Sequence, residues 1–132
     1  MKTKISIAAV GLGLLMASVP AIAHHSFAAE FDAARPIKLT GSVTKVEWMN
    51  PHTYFYIDVK DEKGAVTNWG LEMGSPNGLM RQGWTRNSMK IGDVVTVEGS
   101  AAKDGSNIGN ARSVTLSGGQ RLFAGSSQTT NP

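Results

Sequence analysis

The residues with the clearest chemical potential are the three histidines of the chain, His24, His25 and His52. A chain that begins at His24 offers its α-amine and its own imidazole to one metal ion, and His25 or His52 can supply another imidazole. Nitrogen donors without sulfur favour Cu(II), which heads the affinity order of the divalent metals. The histidines therefore predict a copper site. The alternative is that His24 and His25 are bystanders and that His52 only bonds the end of a strand.

Whether His24 begins the mature chain depends on the first 23 residues. Lys2 and Lys4 precede an apolar run over residues 5–19, and Ala21-Ile22-Ala23 has the small-residue pattern of a cleavage site. This order is typical of a secretory signal peptide, which is removed. The run is shorter than the ~20 residues of a membrane span, so no transmembrane segment is predicted. We expect a mature protein of residues 24–132 in the periplasm.

The nearly balanced charge of the mature chain argues against polyanionic ligands such as nucleic acid or an anionic membrane. Of the 13 basic residues, Lys2 and Lys4 leave with the signal, and the remaining 11 stand against 10 acidic residues. Tight electrostatic binding to either of these ligands requires clustered positive charge. The absence of cysteine from the sequence also excludes thiolate metal sites and dithiol chemistry. A glycan, a peptide or a small aromatic molecule is the better expectation for an organic ligand.

A second candidate site is a set of aromatic and polar side chains on two neighbouring strands. Apolar and polar residues alternate along residues 54–61 and 66–73, which places one set of side chains on the inner face of the sheet and the other set on the outer face. The outer set contains Tyr54, Tyr56, Asn68 and Glu72. Aromatic side chains on the second and third strands of a small barrel are typical of ligand faces. We predict that these four residues form an exposed binding face and that Trp48, Trp69 and Trp84 belong to the core.

The elements that position these residues are mainly strands. The apolar alternation that starts at Lys38 slips by one residue between Val43 and Val46, which predicts a bulge in a long first strand. Asp61-Glu62-Lys63-Gly64 predicts a hairpin turn. Further strands are expected over residues 94–99 and 108–116, with a short edge strand within residues 120–124.

One short helix is predicted between the third and fourth strands. Ser75 is a candidate N-cap, Pro76 suits the first helical position, and Gly83 suits the position just past the end. Capping by Ser75 is the preferred interpretation of this segment over an anion site. Five strands with a helix in this place predict an all-β, OB-like barrel. A small β-sandwich is the alternative, but it does not require a helix there.

The predicted organisation is one domain with flanking segments. Residues 1–23 are the signal peptide, 24–37 an N-terminal arm, 38–124 the barrel and 125–132 a flexible tail rich in Ser, Thr and Asn. The chain has no nucleophile elbow, no paired-acid motif and no Gly-rich phosphate loop. We therefore expect a non-catalytic binding or accessory protein. The alternative is a structural module that meets another envelope protein through its second and third strands.

Several stretches of the chain resemble one uncharacterised family. They include His24-His25-Ser26-Phe27, Gly41-Ser42-Val43, Asn50-Pro51-His52, Gly74-Ser75-Pro76-Asn77, Gly83-Trp84 and Lys103-Asp104-Gly105-Ser106-Asn107. The family consists of small secreted Gram-negative proteins that carry a domain-of-unknown-function label. The resemblance implies a periplasmic barrel and no established activity. A looser likeness, at the level of the fold, links the chain to secreted bacterial OB-fold proteins.

Overall fold

The structure is a computed structural model that describes residues 27–125. Residues 27–30 form one helical turn. The elements that follow are β1 (Phe31–Glu47), β2 (Tyr54–Lys60), β3 (Val66–Glu72), α1 (Pro76–Arg81), β4 (Val94–Ala102), β5 (Ile108–Thr115) and β6 (Arg121–Phe123). The signal peptide, His24, His25 and residues 126–132 of the predicted tail lie outside the described residues.

The six strands form one sheet that closes on itself. The strand order is β3-β2-β1-β4-β5-β6, and a parallel pairing of β3 with β5 joins the first strand of this order to the fifth. The result is a ring of five strands with β6 added beside β5. A five-stranded closed ring with a helix between its third and fourth strands is an OB-like barrel. The predicted fold class is therefore confirmed.

The long first strand serves both halves of the barrel. Its first part pairs with β4 and its last part with β2, and Ser42 has a partner in each. Gly41 lies at this crossing, where an added Cβ would stand 2.3 Å from the Asp58 carbonyl oxygen. A bare Cα is therefore required for the close approach of the two strands. The predicted bulge follows at once, as a register shift between Val43 and Lys45.

The start of β1 differs from the prediction. The strand begins at Phe31 instead of Lys38, so residues 31–37 of the expected arm already belong to the sheet. Phe31 is buried and lies opposite Ala102, but the pairing is irregular between Asp32 and Pro36. Proline cannot donate to a ladder. The irregularity removes the regular alternation by which a strand is recognised in a sequence.

The helix begins and ends at the residues that the sequence predicts. Ser75 caps α1, and its Oγ accepts a hydrogen bond from the Gly78 backbone N–H at 3.2 Å. Pro76 occupies the first turn, and Gly83 follows the helix with φ +99°. Trp84 then enters the core, with its indole N–H donating to the Phe123 carbonyl oxygen at 2.8 Å. The helix and β6 are thereby fixed to the same end of the barrel.

The core fills the inside of the ring. The most completely buried large apolar side chains are Val43, Phe55, Ile57, Leu71, Met73, Leu79, Trp84, Val95, Val97 and Val114. Of the three tryptophans predicted for the core, Trp84 is fully enclosed, whereas Trp48 and Trp69 are partly exposed and pack against it. Since Phe55 and Leu71 point inward, their neighbours Tyr54 and Glu72 point outward, which defines the outer face of β2 and β3.

Candidate functional site

The backbone next to His52 is fixed by hydrogen bonds at the ends of β2 and β3. It precedes Thr53, whose N–H donates to the Gly74 carbonyl at 3.0 Å and whose carbonyl accepts from the Met73 N–H at 2.8 Å. These two bonds continue the pairing of β2 and β3 beyond the strand ends. Thr53 is completely buried. The short segment that carries His52 therefore belongs to the rigid part of the barrel, although it lies between β1 and β2.

The His52 side chain meets Glu72 on the outer face. Its Nδ1 lies 3.1 Å from Glu72 Oε1. The hydroxyl of Tyr54 donates to the other carboxylate oxygen, Oε2, at 3.2 Å. Tyr54 and Glu72 are directly opposite in the β2–β3 register, and His52 is two residues before Tyr54, which puts the three side chains on one face. We call these three residues the histidine–carboxylate cluster.

The cluster is partly shielded from water. The side chain of Glu72 is 13% exposed and that of His52 28%. Burial raises the pKa of Glu72, an effect opposed by His52 and by the Tyr54 hydrogen bond and increased by the Glu30 carboxylate. Burial and the Glu72 carboxylate raise the pKa of Tyr54 to about 12. The site therefore concentrates negative charge around one imidazole.

The raised Tyr54 pKa gives a spectroscopic prediction. In a Tyr56→Phe variant, Tyr54 is the sole tyrosine of the chain, and its phenolate absorbance should grow with a pKa of about 12. Because this pKa is above the ordinary value, the contribution of Tyr54 to stability is complete below about pH 10. It is lost as the pH rises toward 12. Adding Glu72→Gln should lower the pKa toward its ordinary value of about 10, and an unchanged pKa would contradict the Tyr54–Glu72 contact.

Glu30 connects this cluster to the N-terminal segment. Its charge acts on both Glu72 and Tyr54, and its carbonyl accepts a hydrogen bond from the Lys103 N–H at 2.8 Å. One helical turn earlier, the ring of Phe27 packs on that of Phe31 with 5.7 Å between centroids. The turn formed by residues 27–30 is thus held against the β4–β5 loop.

The two N-terminal histidines, His24 and His25, lie outside the residues that the structure describes. Within residues 27–125 there is no group of three His, Cys, Asp or Glu side chains arranged to hold a metal ion, so a metal site at His52 needs donors from outside this range.

The four residues predicted for the exposed face do lie on one face, but their side chains contact different partners. Tyr54 and Glu72 bond each other. Asn68 is at the far end, where its side-chain amide donates to Asp58 Oδ1 at 2.9 Å. Tyr56 lies between, opposite Gly70, with the Lys45 ammonium 5.4 Å from its ring centroid. The face is therefore divided into a histidine–carboxylate end and an amide end.

Sequence reasoning missed two contributors to the site. Glu30 lies in a segment without periodicity, so nothing predicted that it lies near Glu72. Ile108, which is 45% exposed, is brought beside Gly70 by the parallel β3–β5 pairing. Both belong to a cleft of about 400 Å³ between the 27–30 turn and the β4–β5 loop, which is lined also by Ala29, Lys103, Asp104 and Ser106. A parallel pairing between strands separated by a helix leaves no local signal in a sequence.

The architecture places this molecule among small OB-like barrels, with potential ligand groups on the face of β2 and β3. The chain belongs to a family of unknown function (DUF6152), whose sequence model matches residues 11–112. No protein with a curated description matches it. None of the helices in residues 27–125 has the length and apolarity to cross a membrane.

Solved structures with some similarity include two proteins that bind nucleic acid. TiaS, in a complex with an isoleucine tRNA and ATP, is 24% identical with a TM-score of 0.47, over 64% of this chain and 18% of TiaS. The mitochondrial single-stranded DNA binding protein Rim1 of S. cerevisiae is 12% identical with a TM-score of 0.48, over 61% of this chain and 91% of Rim1. The chain thus spans less than a quarter of the TiaS chains it matches.

Proposed function

We propose that the mature protein is a periplasmic, non-catalytic binding protein that holds a Cu(II) ion between its N-terminus and His52. The α-amine and imidazole of His24 supply two nitrogen donors, and His52 supplies another. His25 is the remaining candidate, at the same end of the chain. Export and cleavage after Ala23 are part of the proposal, because they create the free amine.

One observation carries this proposal. The Lys103–Glu30 hydrogen bond holds the turn of residues 27–30 against the β4–β5 loop, and the Glu30 carboxylate is near enough to Glu72 and Tyr54 to raise the pKa of both. This supports the proposal, because the described chain begins at Phe27, within one helical turn of a residue whose charge reaches the histidine–carboxylate cluster. In the sequence, the whole of the long first strand separates the N-terminal histidines from His52, so only a tertiary contact of this kind can bring them together.

The donor set decides between metals. The chain has no cysteine, so the soft thiolate sites of zinc and iron–sulfur centres are excluded. Imidazole and amine nitrogens suit Cu(II), which binds such donors more tightly than the other divalent first-row metals. The nearby Glu72 and Glu30 carboxylates add negative charge, which favours a cation at this end of the barrel.

The test is a Cu(II) titration of the chain that begins at His24, in competition with a chelator of known affinity. His52→Ala should weaken binding by about tenfold or more, equal to about 1.4 kcal/mol for each decade. Asn68→Ala is the matched control, because Asn68 is on the same face but bonds Asp58 at the opposite end. Wild-type affinity in His52→Ala, or no Cu(II) binding by the wild-type chain, would contradict the proposal.

A second function is favoured by a different observation. Tyr56 and Ile108 lie beside Gly70 on either side, and Ile108 is 45% exposed. This small apolar patch suits contact with another envelope protein or with a small ligand. That function predicts loss of partner capture in Tyr54→Ala or Tyr56→Ala, with no effect of changes at the histidines. The variants His52→Ala, Tyr54→Ala and Tyr56→Ala, each tested for Cu(II) binding and for partner capture, therefore separate the two functions.

A further inference from the structure

A groove of about 510 Å³ lies on the barrel surface where β1 passes between β2 and β4. Its polar and apolar lining side chains are Thr40, Ser42, Asp58, Lys60, Val66 and Val94. The two valines are about half exposed, at 53% and 54%. Small-ligand sites in proteins typically have volumes of about 300–1,000 Å³. The groove is therefore large enough for a small ligand, to which it offers both polar and apolar contacts.

An ordered network of side chains forms one end of the groove. Asp58 and Asn68 are register partners on β2 and β3, and the side-chain nitrogen of Asn68 donates to Asp58 Oδ1 at 2.9 Å. The same nitrogen donates to Thr44 Oγ1 at 3.2 Å and to the Ile57 carbonyl at 3.3 Å. The Thr44 hydroxyl in turn donates to the Tyr56 carbonyl at 3.3 Å. The network is thus tied to the backbone of β2 and holds the Asn68 amide in one orientation.

Two acceptors of this network are available to a ligand. An amide nitrogen has two hydrogens, so the three bonds of the Asn68 nitrogen use its whole donor capacity. Within residues 27–125, Asn68 Oδ1 and Asp58 Oδ2 take part in no hydrogen bond. A ligand hydroxyl can therefore donate to either oxygen without displacing a bond of the protein.

Tyr56 provides an aromatic surface beside these acceptors. It is two residues before Asp58 on the same face of β2, a distance of about 7 Å along the strand. Its partner across the sheet is Gly70, where an added Cβ would stand 3.1 Å from the Tyr56 ring atom Cε1. The ring therefore leans over the bare backbone of β3, and Gly70 is buried beneath it. The Lys45 ammonium, 5.4 Å from the ring centroid, adds a hydrogen-bond donor on the β1 side.

The charges and strand positions at this surface favour one class of ligand. Asp58 and Lys60 line the groove with opposite charges, which balance and select neither a polyanion nor a polycation. In the sheet β2 lies between β3 and β1, and β1 is paired on both sides at Ser42. An extended peptide therefore finds no free strand edge to extend. A purely apolar ligand would bury the free oxygens of Asp58 and Asn68 without partners, which is costly.

We propose that this surface binds a neutral oligosaccharide. The ring of Tyr56 packs against the C–H face of one sugar unit, a type of contact that aromatic rings accept. Asp58 Oδ2 and Asn68 Oδ1 accept hydrogen bonds from its hydroxyls, and the groove holds the neighbouring sugar unit between Val66 and Val94. The inference does not require Cu(II), and it gives a chemical class to the small ligand of the second proposed function.

Four variants test the site. Tyr56→Ala removes the aromatic surface, and Tyr56→Phe keeps the ring and is its conservative control. Asp58→Ala removes one of the free acceptors. Met80→Ala is the matched control elsewhere on the barrel, because Met80 is 51% exposed on α1, outside the groove. Circular dichroism and thermal unfolding show whether each variant is folded.

The measurement is an NMR titration of the ¹⁵N-labelled mature chain with four probes. Maltohexaose, cellohexaose and chitohexaose are the neutral probes, and a heparin hexasaccharide is the anionic contrast. We expect at least one neutral probe to bind with a Kd of about 1 mM or lower and to shift the amide signals of Tyr56, Asp58 and Asn68 but not those of α1. The affinity should fall about tenfold or more in Tyr56→Ala and about fivefold in Asp58→Ala. It should stay within about twofold of wild type in Tyr56→Phe and Met80→Ala.

Several results would overturn the inference. They are no binding of any neutral probe by the wild-type chain, tighter binding of the heparin probe, or equal affinity in a folded Tyr56→Ala variant. If Tyr56→Ala does not fold, Asp58→Ala and the position of the shifted signals decide, and shifts away from β2 and β3 would contradict the site. Capture of a protein partner that depends on Tyr56, without saccharide binding, would assign the face to that partner instead.

Cu(II) titration of the same variants keeps this inference separate from the proposed metal site. Tyr56→Ala and Asp58→Ala should bind Cu(II) as the wild type does. A chain that binds Cu(II) but no saccharide would overturn this inference alone. A chain that binds a neutral saccharide at Tyr56 but no Cu(II) would contradict only the proposed metal site.

Discussion

A mature chain extended by Gly-Ser-Gly-Ser before His24 is expected to bind Cu(II) about a hundredfold more weakly than the correctly processed chain, a loss of about 2.8 kcal/mol. The extension turns the α-amine of His24 into a peptide nitrogen and so removes one donor of the pair on that residue. The chelate of amine and imidazole is then lost, although all three histidines remain. Competition titration with a chelator of known affinity measures the difference.

The length of the extension matters for this experiment. A chain with one or two added residues has a histidine at its third position, where a new amine, the intervening amides and that imidazole can bind Cu(II) by themselves. Four added residues place His24 fifth and avoid this. The matched control carries the same four residues after Pro132. Equal affinity of the two extended chains would show that the free amine of His24 is not a ligand.

Gly99→Ala is expected to have the largest effect on folding, a loss of about 3 kcal/mol or more in the free energy of unfolding. A Cβ at this position would stand 1.8 Å from the Asn110 carbonyl oxygen and 3.1 Å from the Ala111 Cα. These are backbone atoms of β5, so they can move only if the β4–β5 pairing opens. The pairing is already irregular at this point, with a register shift between Glu98 and Gly99.

The measurement for Gly99 is urea denaturation of residues 24–132. Gly118→Ala is the matched control, because an added Cβ there has no heavy atom within 4 Å, and its effect should stay within about 0.5 kcal/mol. A domain of this size has about 5–15 kcal/mol of stability in total, so Gly99→Ala should also reduce the yield of folded protein. Equal stability of the two variants would contradict the close approach of β4 and β5.

The parts of the fold that could be predicted are those with a local cause. Ser75, Pro76 and Gly83 mark the helix through capping and backbone conformation, which involve only neighbouring residues. The alternation of β2 and β3 separates the inward side chains of these strands from Tyr54 and Glu72, because successive side chains in a strand point to opposite faces. The bulge after Val43 is visible in the sequence as a slip in the same alternation.

The parts that could not be predicted depend on contacts between distant segments. The first seven residues of β1 are stabilised by β4, and the irregularity before Pro36 hides them from pattern analysis. The alternation places Tyr54 and Glu72 on one face, but nothing in the sequence indicates that His52 lies beside the same carboxylate. The position of Glu30 depends on the Lys103 backbone bond. Long-range pairing fixes these contacts, and it leaves no periodic signal.

The central claim is that the N-terminus and His52 bind the same Cu(II) ion. Pulsed electron paramagnetic resonance of the 1:1 Cu(II) complex of the correctly processed chain tests it most directly, since it detects the remote nitrogens of ligating imidazoles. Labelling histidine with ¹⁵N and comparing wild type with His52→Ala identifies the contribution of His52. We expect one imidazole fewer in His52→Ala. Identical spectra from the two proteins would show that His52 is not a ligand and would contradict this account.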